Sequence, residues 1–207
     1  MTPTLDGIVE GIRERAQEAD RYIVAIAGPP GAGKSTLSER LLAALTAKGE
    51  RSAILPMDGF HMDNAVLEAR GLLARKGVPD SFDARGFVDI VKAVRQGGEV
   101  LVPVFDRDRE LAINAARVIE PQDRIILVEG TFLLIDREPW SNLAPLFDYT
   151  IFVAPPIEEL TRRLTARWKG YDMDEAGIEW KLHGNDLPNG RLVMEESRKA
   201  NLSIDVI

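Results

Sequence analysis

An α/β fold with a mainly parallel sheet is what this sequence predicts, on three observations. Short apolar runs alternate along the chain with stretches whose apolar residues recur at helical spacing, the pattern of strand and helix units wound together. The clearest run, Tyr22 to Ala27, ends in glycine and proline, and a helical pattern starts soon after it. The strongest runs are apolar at successive positions rather than at alternate ones, as strands covered on both faces require.

Each element has its own reason. Leu5, Ile8, Val9 and Ile12 share one face of the segment Met1 to Asp20, and charges interrupt it, so it reads as an amphipathic helix rather than a signal peptide. After the Tyr22 to Ala27 strand, Leu37, Leu41, Leu42 and Leu45 carry a helix from Ser35 to a stop at Gly49. Ser52 to Met57 predicts a second strand, leading into the polar turn Asp58, Gly59, Phe60, His61. Residues 62–83, with scattered glycine and proline and a basic Arg75, Lys76, Gly77, read as loop with one helical segment. Phe87, Ile90, Val91 and Val94 give the next helix, capped by Asp83 and ended by Gly97 and Gly98.

Val100 to Phe105 predicts a strand that pairs locally with Ala112 to Ile119, and Arg124 to Val128 and Tyr149 to Val153 predict two buried strands. A helix from Ile157 to Trp168 turns Leu160, Leu164 and Trp168 inward, and a polar stretch from Lys169 to Gly177 precedes the last helical pattern. With 207 residues and no repeat, linker or low-complexity segment, one domain spanning 1–207 is expected.

Composition excludes several function classes. A formal charge of −7 without any basic run argues against a nucleic-acid partner, whose binding draws on Lys and Arg set against phosphates. There is no cysteine, so disulfides and thiolate metal sites are excluded. The most apolar stretch, Ile125 to Ile135, is broken by Glu129 and Gly130 and falls short of the roughly 20 residues of a membrane helix. A soluble, cytoplasmic protein with a small-molecule substrate and no membrane partner is expected.

Between the first strand and its helix, Gly28, Pro29, Pro30, Gly31, Ala32, Gly33, Lys34, Ser35 and Thr36 fit the pattern G-x-x-x-x-G-K-[ST]. Glycines let successive amides surround a phosphate, and the following helix adds its positive end. Lys34 supplies a charge for the outer phosphates of ATP or GTP, and Ser35 a hydroxyl for Mg²⁺. The pattern refines the fold to a P-loop NTPase, a three-layer α/β/α sandwich. Glu129, closing the strand RIILV, is the matching Mg²⁺ candidate; a solvated acid in a turn is the alternative. Asp58 directly follows the second strand, and in a parallel sheet the strands' C-terminal ends share one crevice. A carboxylate there can take the proton of an attacking hydroxyl, unless Asp58 and Gly59 merely form a turn.

GPPGAGKST at 28–36, DGFH at 58–61, SFD at 81–83, PVFDR at 103–107 and VEG at 128–130 occur in this order. The chain thereby resembles the phosphoribulokinase, uridine kinase and type I pantothenate kinase superfamily from Tyr22 onward. Within it, the chain is most similar to small bacterial nucleoside kinase-like or fructose-transport-associated kinases. The resemblance implies an ATP- and Mg²⁺-dependent kinase with Asp58 as catalytic base and Asp83 as a ligand for substrate hydroxyls. His61, Arg85, Asp106 and Arg107 stand beside these as substrate-binding candidates, although His61 is equally read as a ring satisfied inside its loop. An arginine-bearing lid is also implied, at about 163–177. Arg163 and Arg167, four apart and so on one helix face, are its candidates; the alternative is a solvated surface pair.

The chain departs from uridine kinases after Pro103, where Phe105 and Asp106 are followed by Arg107 and Arg109 with no histidine. This departure weighs against a pyrimidine nucleoside; the resemblance alone implies a sugar such as fructose as the first acceptor, before a nucleoside or pantothenate, and leaves a homodimer open. A nucleotide-dependent regulator is the competing class. The N-K-x-D segment of a guanine-reading GTPase and the S-G-G-Q segment of an ABC-type ATPase are both absent.

Overall fold

The computed structural model describes residues 3–205. Helix α1 (Leu5–Ala16) begins where the Thr4 side chain accepts a hydrogen bond from the Gly7 amide; the first two residues of the expected helix, Met1 and Thr2, lie outside the described residues. In chain order there follow β1 (Tyr22–Ala27), α2 (Lys34–Ala47), β2 (Ser52–Pro56), α3 (Asn64–Ala69), α4 (Ala84–Gln96), β3 (Val100–Asp106) and β4 (Leu111–Ile119). The chain continues through β5 (Ile125–Gly130), β6 (Tyr149–Val153), α5 (Ile157–Lys169), α6 (Glu175–Lys181), α7 (Leu187–Glu196) and β7 (Leu202–Ile204).

Five strands form one sheet in the order β2-β5-β1-β6-β7, every neighbouring pair parallel. Side chains alternate between its faces, and the core divides accordingly. Ile23, Ala25 and Ala27 of β1, with Ile126 and Val128 of β5, meet Phe87, Val91 and Val94 of α4 and the rings of Phe132 and Trp140. Tyr22, Val24 and Ile26, with Ile125 and Leu127, meet Ile8, Val9 and Ile12 of α1, Leu37, Leu41 and Leu45 of α2, and Leu160 of α5. Two apolar layers around a parallel sheet are the three-layer α/β/α sandwich. No described helix is long and apolar enough to cross a membrane.

Strands β3 and β4 pair antiparallel in a separate hairpin. Gly59 lies so close to the hairpin that a Cβ there would sit 2.3 Å from the Pro103 carbonyl oxygen. Only glycine allows this approach, and it fixes the turn after β2 against the hairpin.

Three local expectations are corrected. The second strand stops at Pro56, because Met57 already opens a 3₁₀ turn, Met57–Phe60. Strand β7 was not expected, being three residues long and so without periodicity; Asn201 ties it to β6 by accepting from the amide and hydroxyl of Thr150 at 2.9 and 2.8 Å. The last helical pattern is not one helix: a π-helical turn, Leu182–Asp186, separates α6 from α7.

Candidate active site

Strand register brings three loops together. Ala27 pairs with Gly130, and Pro56 pairs with Glu129. The segment 28–36, the turn at 57–60 and the end of β5 therefore emerge side by side at the C-terminal edge of the sheet, where a parallel α/β sheet forms its crevice. A cleft of about 910 Å³ opens there, at the large end of the roughly 300–1,000 Å³ range of small-molecule sites.

Segment 28–36 folds into a tight cradle. Gly28 lies against β6, where a Cβ would fall 2.1 Å from the Val153 carbonyl oxygen. Gly31, Gly33, Lys34, Ser35 and Thr36 line the cleft, and Ala32 is buried behind them. Lys34 opens α2, so its ammonium stands beside the positive end of the helix. It is buried and donates to the Pro29 carbonyl at 3.0 Å. Burial pushes its pKa down, against the opposing pull of Glu129 and Asp58.

Glu129 is 8% exposed and accepts from the Ser35 hydroxyl at 3.3 Å. Burial, reinforced by the Asp58 charge and opposed by Lys34 and Ser35, pushes its pKa up to about 7. A hydroxyl and one carboxylate beside a phosphate cradle fit Mg²⁺, which takes one or two carboxylates together with substrate phosphates. Among the described residues no group of three or more acidic or histidine side chains could hold an ion without such phosphates.

Asp58 lines the same cleft in the turn after β2, and its carboxylate is paired with the Arg107 guanidinium from the hairpin. His61 packs between Phe82 and Phe105, with ring centroids at 4.0 and 4.6 Å. Its Nδ1 lies 2.8 Å from the Asp58 carbonyl oxygen, which can only accept, so Nδ1 carries the proton. Burial lowers the pKa of His61 and favours the neutral ring.

Of the arginines of α5, Arg163 and Arg167 reach the cleft. Arg163 donates to the Ala32 carbonyl at 2.9 Å and to Glu159 at 2.6 Å, which ties the helix to the cradle. Hydrogen bonds from Arg162 and Arg163 hold the Glu159 carboxyl down at about 2. Arg167 lies over the Trp168 ring at 5.5 Å and has no carboxylate within ion-pair distance among the described residues.

Three substrate-binding candidates go elsewhere. Asp83 is exposed outside the cleft and caps α4, accepting from the Gly86 amide at 2.9 Å. Arg85 is 92% exposed beside Asp89 on the outer side of α4. Asp106 faces its own hairpin turn, accepting from the amides of Asp108 and Arg109 and from the Arg109 guanidinium. Asp83 and Asp106 are engaged by neighbours in their own segments, and Arg85 stands in solvent.

Other residues line the cleft that sequence reasoning missed: Lys76, Trp168, Asn185, Asp186 and Asn189. The amides of Asn185 and Asn189 donate to the carbonyls of Lys76 and Gly77 at 3.0 and 3.2 Å, pinning the loop before α4 to α7. One signal was available. Asn185 and Asn189 are four apart and fall at helical spacing between Leu182 and Val193, and buried polar groups in such a place need partners.

Comparison with known proteins agrees with this geometry. The family model described as Phosphoribulokinase / Uridine kinase family matches residues 23–180. A crystal structure from Silicibacter sp. TM1040, provisionally described as a fructose transport system kinase, is 40% identical with a TM-score of 0.91 over 97% of this chain and 98% of that one. The uncharacterized protein YggC of Escherichia coli is 34% identical over 90% of this chain and 78% of its own length. A pantothenate kinase of Leifsonia xyli is 36% identical over 68% of this chain, which spans 45% of that enzyme's length.

Proposed function

The chain belongs to the Phosphoribulokinase / Uridine kinase family, and we propose that this family kinase transfers the γ-phosphoryl group of ATP to a hydroxyl of a small metabolite, a sugar such as fructose first among them. One observation carries the reading: Lys34, Glu129 and Asp58 share one cleft, at the ends of three strands that lie side by side. The amides of 28–36 and Lys34 bind the triphosphate, while Ser35 and Glu129 would hold Mg²⁺. That ion would offset the negative charge of the phosphates.

Asp58 takes the proton of the acceptor hydroxyl as its oxygen attacks phosphorus, and Arg107 orients that carboxylate. Arg163 and Arg167 offset the charge growing on the transferring phosphoryl oxygens, within a lid formed by about residues 163–177. His61 lines the acceptor side. An ATP-consuming reaction of this kind belongs in the cytoplasm. The fructose reading is supported by the description of the 40% identical structure. Pantothenate follows from the Leifsonia relative, and a nucleoside is weakened by the histidine missing after Phe105.

A coupled ADP-release screen with Mg²⁺-ATP and panels of sugars, nucleosides and pantothenate tests this. Stimulation by a sugar is expected; stimulation by none of the panel would leave a nucleotide-binding regulator as the function. Replacing Asp58→Asn is expected to lower turnover roughly 10²- to 10⁴-fold, the range of a general base, with ATP binding intact. Unchanged turnover would remove Asp58 from its role.

A further inference from the structure

We propose that Asp186 is the residue that selects the acceptor: its carboxylate receives an acceptor hydroxyl at the wall of the cleft where the π-helical turn and α7 meet the 76–77 loop, with Trp168 holding it in position. This rests on the kinase reading and deepens it. It makes the acceptor a compound that turns a hydroxyl, and not a carboxylate, toward that wall.

Asp186 is 7% exposed, yet it lines the cleft. Its one hydrogen bond among the described residues comes from the Trp168 indole N–H to Oδ2, at 2.7 Å. Among the described residues no cation makes an ion pair with it, although the charges of Arg167 and Lys181 act on it. A carboxylate has about four acceptor positions, so most of its capacity is left for whatever enters the cleft. The other cleft acids are engaged or exposed: Asp58 by Arg107, Glu129 by Ser35, Glu110 by Lys76 and Asp108 in water on the hairpin turn. Asp83, expected to hold substrate hydroxyls, caps a helix instead.

The backbone around Asp186 is built to present it. Asp186 ends the π-helical turn Leu182–Asp186, and a π turn inside a helix inserts a residue and redirects the side chains around it, often at functional sites. The preceding Asn185 and the following Asn189 anchor the 76–77 loop, so this wall is rigid on both sides of the carboxylate. A polar site made to bond a hydroxyl discriminates strongly, because an acceptor lacking it leaves the buried group unpaired. An acceptor carboxylate at the same place meets like charge.

Steady-state kinetics on the full chain test the assignment, using the best acceptor from the screen, its deoxy analogues, and ATP. Asp186→Asn is expected to raise acceptor KM about 10- to 100-fold, the worth of a hydrogen bond to a charged group, with ATP KM within about twofold. One deoxy analogue should show a much smaller rise than its parent. Trp168→Phe, which keeps the ring but removes the donor, should raise acceptor KM about threefold by the loss of one neutral donor's orientation; it carries the test should Asp186→Asn not fold. Acceptor KM unchanged in both variants, or a change confined to ATP KM, overturns the assignment while the kinase reading stands. A wild-type chain that no hydroxyl compound stimulates overturns both.

Discussion

The two walls of the cleft are made by different means. The phosphate wall is one contiguous segment, 28–36, whose shape comes from backbone packed directly on backbone, as where Gly28 meets the Val153 carbonyl. A second wall is assembled from parts more than a hundred residues apart, the 76–77 loop and the π-helical turn with the start of α7, joined by side-chain amides. A phosphate cradle must place several amides at once, and a backbone turn does so with little freedom left. An acceptor wall has to vary with the acceptor, and side-chain hydrogen bonds can be exchanged one at a time without refolding the sheet. The comparison ranks substitutions: a methyl added on the first wall should do more damage than an amide removed from the second.

The largest effect expected is therefore that of Gly28→Ala. The added carbon would stand 2.1 Å from a main-chain oxygen of β6, and neither partner is the end of a flexible side chain. Relief needs β1 and β6 to part in the middle of the sheet, a loss in the exceptional class of about 4 kcal/mol or more. Chemical denaturation measures it, and ATP binding should be lost in parallel. A loss below about 1 kcal/mol would mean that the cradle is as forgiving as the other wall.

Glu129 gives the next largest effect, and its sign differs between stability and activity. Its folded-state pKa of about 7 lies above the ordinary 4.5. Folding thus favours its protonated form: the stabilisation is complete below about 4.5 and is lost as pH rises through about 7. Glu129→Gln keeps a neutral side chain at every pH. The variant should match wild type near pH 4.5 and exceed it by about 3 kcal/mol at pH 8, from 1.36 kcal/mol per pKa unit. Its turnover should nonetheless fall, since the amide holds Mg²⁺ poorly. Melting curves across this range test the point; a stability difference that does not vary with pH would count against the buried carboxylate as the cause.

How far the site could be read from sequence follows the same division. Gly28 to Thr36 declare themselves because a contiguous backbone turn demands particular residues at fixed spacing, and the strand before them, Tyr22 to Ala27, is apolar at every position. The fold was legible for that reason, down to the first and last residues of β1. Asp83 carried two readings because one carboxylate suits both a helix cap and a hydroxyl ligand, and the structure shows the cap, to the amide of Gly86 three residues on. Asp106 bonds within its own hairpin turn, and Arg85 stands in solvent. Asp186 was hidden because its exposure depends on a π-helical turn, which has no spacing rule of its own, and its partner Trp168 lies on another helix.

The smallest effect expected comes from the second wall. Asn189→Ala removes the donor to the Gly77 carbonyl, at 3.2 Å, and to Asn185 Oδ1, at 3.5 Å, and leaves Asn185 still bonded to Lys76. A buried hydrogen bond lost with its acceptor left unmatched costs about 1–3 kcal/mol, and the longish distances of both bonds argue for the lower end. The sheet does not take part, so the loss should be local. Amide exchange should quicken in residues 72–81 while β1 and β5 stay as protected as in wild type, and acceptor KM should rise a few-fold with ATP KM unmoved. Exchange that quickens equally in β1 would show that the two walls share one cooperative unit, and the separation between a rigid phosphate cradle and an adjustable acceptor wall would not hold.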